Sequence, residues 1–149
     1  MSPGETPRIP YWHLWTDAQG VSRQTRCTQT AFDLKTMQPP ADPQWQGQRT
    51  TGEMTVMVTV QPVGWVGTWH ENPKPQWIIP LSGRWFVESM DGQRVEMGTG
   101  EISFGEDQNT VETGGRKGHR YGTVGDAPAV LMVVQFATPP TVASPCRFV

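Results

Sequence analysis

Short runs of alternating apolar and polar residues, closed by glycine and proline, recur along the chain, and few stretches carry a helical period. The alternation predicts a first strand at residues 11–15, ended by Asp17-Ala-Gln-Gly20. Residues 22–30 alternate with little apolar content and read as an exposed edge strand or extended segment. Pro39-Pro40 and Pro43 mark residues 33–52 as a surface loop, with Trp45 as an anchor against the rest. A loop of that length often covers a neighbouring surface or a pocket mouth. Met54-Thr-Val-Met-Val-Thr-Val60 is β-branched with threonine between apolar positions, which predicts a strand that Pro62 and Gly64 end. Further strands are predicted at 66–71, 76–88, 94–97, 101–104, 119–124 and 129–136. Pro80 and Gly83 inside the 76–88 run imply a bend or bulge, as a barrel corner needs. Asp91-Gly92 is the strongest hairpin signal, and Gly125-Asp-Ala-Pro128 makes another turn. Residues 107–117 read as a polar loop, and 139–149 show no periodicity.

Composition sharpens this into an all-β sandwich or barrel, because 16 Gly and 14 Pro punctuate many Val and Thr. A length of 149 residues suits a single domain with a sizeable core. Within it, 1–53 read as an N-terminal arm, first strands and covering loop, 54–136 as the barrel, and 137–149 as a tail. The formal net charge of −2 leaves no basic footprint for nucleic acid. No apolar run approaches the roughly 20 residues needed to span a bilayer. The N-terminus has no basic-then-apolar leader pattern, so a cytoplasmic protein is expected, with neither nucleic acid nor membrane as partner. In a reducing cytosol, Cys27 and Cys146 are expected as free thiols.

Polar chemistry gathers in two places. The first is Trp65 to Gly83, which holds His70, a proline-bracketed bend, Asn72 and Gln76. The second is Glu106-Asp107 and Gly118-His119. The first segment runs Gly64, five residues, His70-Glu71-Asn72, three residues, Gln76, six residues, Gly83. In that spacing it resembles the first motif of the cupin family, with Asn72 where the second His stands and Gln76 where the Glu stands. Gly100 and Gly118-His119 resemble the ends of the second motif, with a longer loop between them and without its Pro and Asn. Trp69-His70 to Gln76, Leu81-Ser82-Gly83, Asp91-Gly92, Gly98-Thr-Gly100-Glu101, Glu106-Asp107 and Arg116-Lys117-Gly118-His119 are similar to a group of small single-domain bacterial cupins, over roughly residues 54–136.

The resemblance implies a cupin-type double-stranded β-helix, a jelly-roll barrel, with a pocket between these two segments. In cupins of the usual type, imidazoles and a carboxylate converge on a divalent metal inside the barrel. Carried over, the ligand set is His70, Gln76, His119 and, as the substitute carboxylate, Glu106. Zinc, iron, manganese and nickel all suit such nitrogen and oxygen donors. The alternative is a site without metal, in which His70 and His119 serve as general acid and base and Glu106 or Asp107 orients one of them.

Residues two apart on a strand share a face, so His70 and Asn72 point inward together, and Tyr121 accompanies His119 as a ligand contact or proton donor. Trp69 and Trp77 then point away from the pocket, and with Trp65 and Trp85 they read as packing between sheets or in a dimer interface. His13, outside the matching region, reads as a strand residue satisfied by a backbone partner. The expected protein is a small-molecule enzyme of lyase, isomerase or cyclase type acting on a small polar organic ligand. The alternative is a non-catalytic ligand-binding cupin or an accessory subunit with a vestigial metal site. The resemblance also implies a homodimer, because exposed strand edges need protection.

Overall fold

Eleven strands, and no helix, make up the residues described by the computed structural model, 4–137 and 144–149. The first residues of the expected arm and the start of the expected 139–149 tail lie outside the described residues. The strands are β1 (Ile9–Thr16), β2 (Ser22–Gln29), β3 (Asp33–Lys35), β4 (Gln44–Gln46), β5 (Met54–Gln61) and β6 (Gln76–Ser82). They continue with β7 (Arg84–Ser89), β8 (Arg94–Met97), β9 (Ser103–Glu106), β10 (His119–Val124) and β11 (Ala129–Phe136). Six form one sheet in the order β2-β1-β9-β6-β11-β5, and a second sheet runs β10-β7-β8. β1 lies parallel to β9, while its other partner β2 is antiparallel. β1 and β2 belong to the larger sheet, where β1 sits between β2 and β9, so that sheet is built partly from residues before β5.

The two sheets face each other around an apolar core. Leu14, Ile78, Leu131 and Val133 from the larger sheet meet Trp85, Val87, Val95 and Met97 from the smaller. Burying each such side chain contributes roughly 1.5–3 kcal/mol. Alternation sends Tyr11 and Phe104 to the other side of the larger sheet, where they cluster with Cys27, Phe136 and Phe148. The end of the chain covers this rear cluster: Tyr11 Oη donates to the Phe148 carbonyl (2.8 Å) and accepts from the Phe148 N–H (3.0 Å).

The expected 76–88 strand is two strands in two sheets. Gly83 adopts φ 74°, and a Cβ there would strike the Pro128 carbonyl, so the chain passes at this residue from the larger sheet into the smaller. The β6 register against β11 also shifts between Val130 and Leu131, which leaves Leu81 as the extra residue of a bulge.

Two expectations need correcting. Residues 66–71 form no strand; they bridge β10 only at Val66–Gly122 and His70–His119, and residues 68–69 leave the ladder. Cys27 and Cys146 are not free thiols: they are joined in a disulfide, because the returning tail lays Cys146 beside the rear-facing Cys27 of β2. The 33–52 segment carries the separate β3–β4 hairpin, in which Leu34 pairs with a half-buried Trp45. No helix among the described residues is long and apolar enough to cross a membrane.

Candidate functional site

A cavity of about 340 Å³ opens between the two sheets. Its polar end is set by the approach of His70 to His119. Gly118 adopts φ 63°, and a Cβ there would strike the His70 carbonyl, so only glycine lets the two segments close. His70 and His119 then exchange both backbone hydrogen bonds, each 2.9 Å. Their rings follow, with centroids 4.7 Å apart, and Tyr121, two residues along β10, stands 5.1 Å from His70 and 5.2 Å from His119. Trp65 packs 5.0 Å from Tyr121 on the same wall.

Behind the imidazoles runs a chain of buried polar contacts. Gln135 Nε2 donates to Gln76 Oε1 (2.8 Å), and Gln76 Nε2 donates to Asn72 Oδ1 (2.8 Å). Asn72 gives both its side-chain and its backbone N–H to Asp107 Oδ1, each at 2.9 Å. His119 Nδ1 donates to Asp107 Oδ2 at 2.6 Å, within a pair only 3% and 0% exposed. A carboxylate only accepts, so this contact fixes the proton on Nδ1 and leaves the Nε2 lone pair free. His70 Nδ1 likewise donates to the Thr68 carbonyl (2.7 Å), which frees its Nε2. Burial pushes the Tyr121 phenol above its ordinary 10.0, so it remains a proton donor at neutral pH.

The structure thus brings His70, Gln76, His119 and Tyr121 to one cavity, with Asn72 among them. Glu106 is not with them, which corrects its expected place as ligand or base. It lies on the rear face, where His13 Nε2 donates to Oε1 (2.7 Å) and Arg147 Nη1 donates to Oε2 (2.8 Å). His13 Nδ1 accepts from the Cys146 N–H (2.9 Å). Trp77 packs in the same rear cluster, and Trp69 lies beneath Arg116 and Arg120. No residue of 33–52 lines the cavity.

The donor set does not make up a divalent metal centre. Asp107 already uses both oxygens on Asn72 and His119, and Gln76 Oε1 accepts from Gln135. Two imidazoles remain without a free carboxylate, and among the described residues no three His, Cys, Asp or Glu side chains converge. Sequence reasoning passed over Gln135, whose signal was a polar residue in phase with Leu131 and Val133 on an otherwise apolar strand.

A crystal structure of a protein from Neisseria meningitidis is similar at 14% sequence identity and a TM-score of 0.43, covering 66% of this chain and 90% of that one. No curated protein matches. The cupin domain matches residues 56–135, from β5 through β11. With more than half of its length matched to that domain and its strands closed around the pocket just described, the chain belongs to the cupin family.

Proposed function

We propose that the protein is an acid–base enzyme that moves a proton on a small organic substrate, in a reaction of isomerase, lyase or cyclase type. The observation that carries this is the Asp107–His119 pair opening on the cavity (2.6 Å). His119 Nε2 takes a proton from a carbon next to a carbonyl, and Asp107 steadies the imidazolium that forms. Tyr121 donates its phenolic hydrogen bond to the oxygen where negative charge gathers. The proton then held on His119 Nε2 is returned to the substrate to complete the reaction, and His70, whose unprotonated Nε2 belongs to a ring 4.7 Å away, accepts a hydrogen bond from a substrate hydroxyl. No step requires a metal.

The test is deuterium incorporation into an enolisable aryl methyl ketone in heavy water, followed by proton NMR. Exchange should fall at least about a hundredfold in His119→Asn and in Asp107→Asn. Exchange at the same rate in both variants sinks the assignment. Tight ligand binding without exchange in the wild-type protein favours the non-catalytic binding module instead.

A homodimer is part of this reading. The supporting feature is β5, the outer strand of the larger sheet, on which Val56, Val58 and Val60 are 62%, 55% and 60% exposed. The strand carries no charge, proline or other device that blocks edge pairing, and a second copy of β5 supplies one.

A further inference from the structure

We infer that Asn72, Gln76 and Gln135 are positioning residues, a one-way chain of side-chain amides that aims the Asp107 carboxylate at His119 without neutralising it; this rests on the acid–base reading of the same site. A side-chain amide can ordinarily face either way, because its oxygen and nitrogen are alike in shape and differ only in what they bond. Here one end decides for all three. Asp107 only accepts, so Asn72 presents Nδ2 to it and keeps Oδ1 for Gln76. Gln76 therefore presents Nε2 to Asn72 and keeps Oε1 for Gln135, which in turn presents Nε2. Turning Asn72 or Gln76 over would set oxygen against oxygen on one side and N–H against N–H on the other.

Separate elements build this chain. Gln76 opens β6, in register with Gln135 of β11 on one side and with Gly105 of β9 on the other. Asn72 lies in the bend before β6, and a Cβ on Gly105 would strike its Nδ2, so glycine at 105 makes room for the amide. Gln108 Nε2 donates to the Asn72 carbonyl (2.8 Å) and holds the bend in place. Asn72, Gln76 and Asp107 are all buried, where a lost partner leaves a costly unpaired group.

A second buried imidazole–carboxylate pair, His13 with Glu106, is held differently. Glu106 also takes Arg147, a cation that offsets its charge. Among the described residues no Lys or Arg pairs with Asp107; besides His119, its donors are the side-chain and backbone N–H of Asn72. Neutral amides orient a carboxylate through hydrogen bonds and leave its negative charge for the imidazolium that forms on His119. The rear pair is braced by charge, and the cavity pair by aligned dipoles.

The test is proton NMR of the full chain, in which a proton held between imidazole and carboxylate resonates far downfield of the backbone amides. The His119–Asp107 signal is assigned by its loss in His119→Asn, and the His13–Glu106 signal serves as internal reference. Gln76→Met, and Gly105→Ala, which removes no hydrogen-bonding group, should each move the His119 signal and leave the His13 signal in place. Deuterium exchange into acetophenone should fall about tenfold in Gln76→Met and about threefold in Gln135→Met, in order of distance from Asp107. Gln24→Met, which removes buried hydrogen bonds between β2 and β7, should lower stability and leave both signal and exchange unchanged. A His119 signal that stays in place in whichever of Gln76→Met and Gly105→Ala folds, an equal shift in Gln24→Met, or the lack of any signal that His119→Asn removes overturns the inference. The acid–base reading fails separately: full exchange in His119→Asn sinks it, while the His119 signal still decides what the amides position.

Discussion

Glu106 and Asp107 are neighbours in the chain, yet their carboxylates serve opposite sides of the larger sheet. Asp107 meets His119 beside the cavity at 2.6 Å, and Glu106 meets His13 on the rear face at 2.7 Å. The two substitutions should therefore separate function from stability. Asp107→Asn should lose at least about a hundredfold of proton-exchange activity. Glu106→Gln should keep activity within a few-fold while losing about 2–3 kcal/mol in urea denaturation, because the Arg147 and His13 contacts lose their charge. An equal loss of activity in both folded variants would refute the division.

The Cys27–Cys146 disulfide closes a loop across a sequence separation of 119. Chain-entropy arguments give such a cross-link about 4–5 kcal/mol. Thiol titration of the denatured, unreduced protein should find no free thiol, and both cysteines should react after reduction. The Cys27→Ser/Cys146→Ser double variant should unfold roughly 10–20 °C lower. Full thiol reactivity without reduction would refute the disulfide.

Both tyrosines of the chain titrate above their ordinary 10.0, each chiefly because of burial. A raised folded value means that the folded state holds the proton more tightly than the unfolded chain. Their contribution to stability is whole below pH 10.0 and is lost as pH rises through the folded values. Tyrosinate absorbance of the native protein should accordingly reach its midpoint above pH 10.0, and the urea midpoint should fall as the pH rises through that step. A normal tyrosinate step in the folded protein at that pH contradicts the buried phenols.

Chelation should change nothing. Dialysis against EDTA should leave both the thermal midpoint and deuterium exchange where they were, since Asp107 and Gln76 already have their partners. One equivalent of zinc, iron, manganese or nickel, removed together with activity, would restore the metal site that the family resemblance implies.

Val58→Lys on the outer face of β5 should convert a dimer to a monomer by light scattering, with the circular dichroism spectrum unchanged. A wild-type protein that is already monomeric at high concentration removes the β5 pairing.

Strand content was readable because alternation and turn residues coincide. The runs 119–124 and 129–136 were bounded as the structure bounds them, each flanked by glycine or proline turns. Residues 66–71 misled, because whether an extended run joins a ladder depends on its neighbour, and β10 takes it only at Val66 and His70. At the site, the resemblance to the cupin motifs pointed to His70, Gln76 and His119, alternation along the strand added Tyr121, and all four line one cavity. The misplaced Glu106 carried its own warning, since consecutive strand residues face opposite ways. Its partners, His13 and Arg147, come from the two extremities of the sequence, beyond the reach of any local pattern. Trp85 read as packing, and it does pack.

The parallel pairing of β1 with β9 sets a schedule for synthesis. Trp12 must wait for Ser103, so the β1–β2 hairpin leaves the ribosome long before its inner neighbour exists. At ordinary translation rates that interval is roughly 5–20 s. Throughout it Tyr11 and Leu14 have no sheet to face on their open side, which makes the nascent hairpin, rather than the finished barrel, the form most dependent on chaperones.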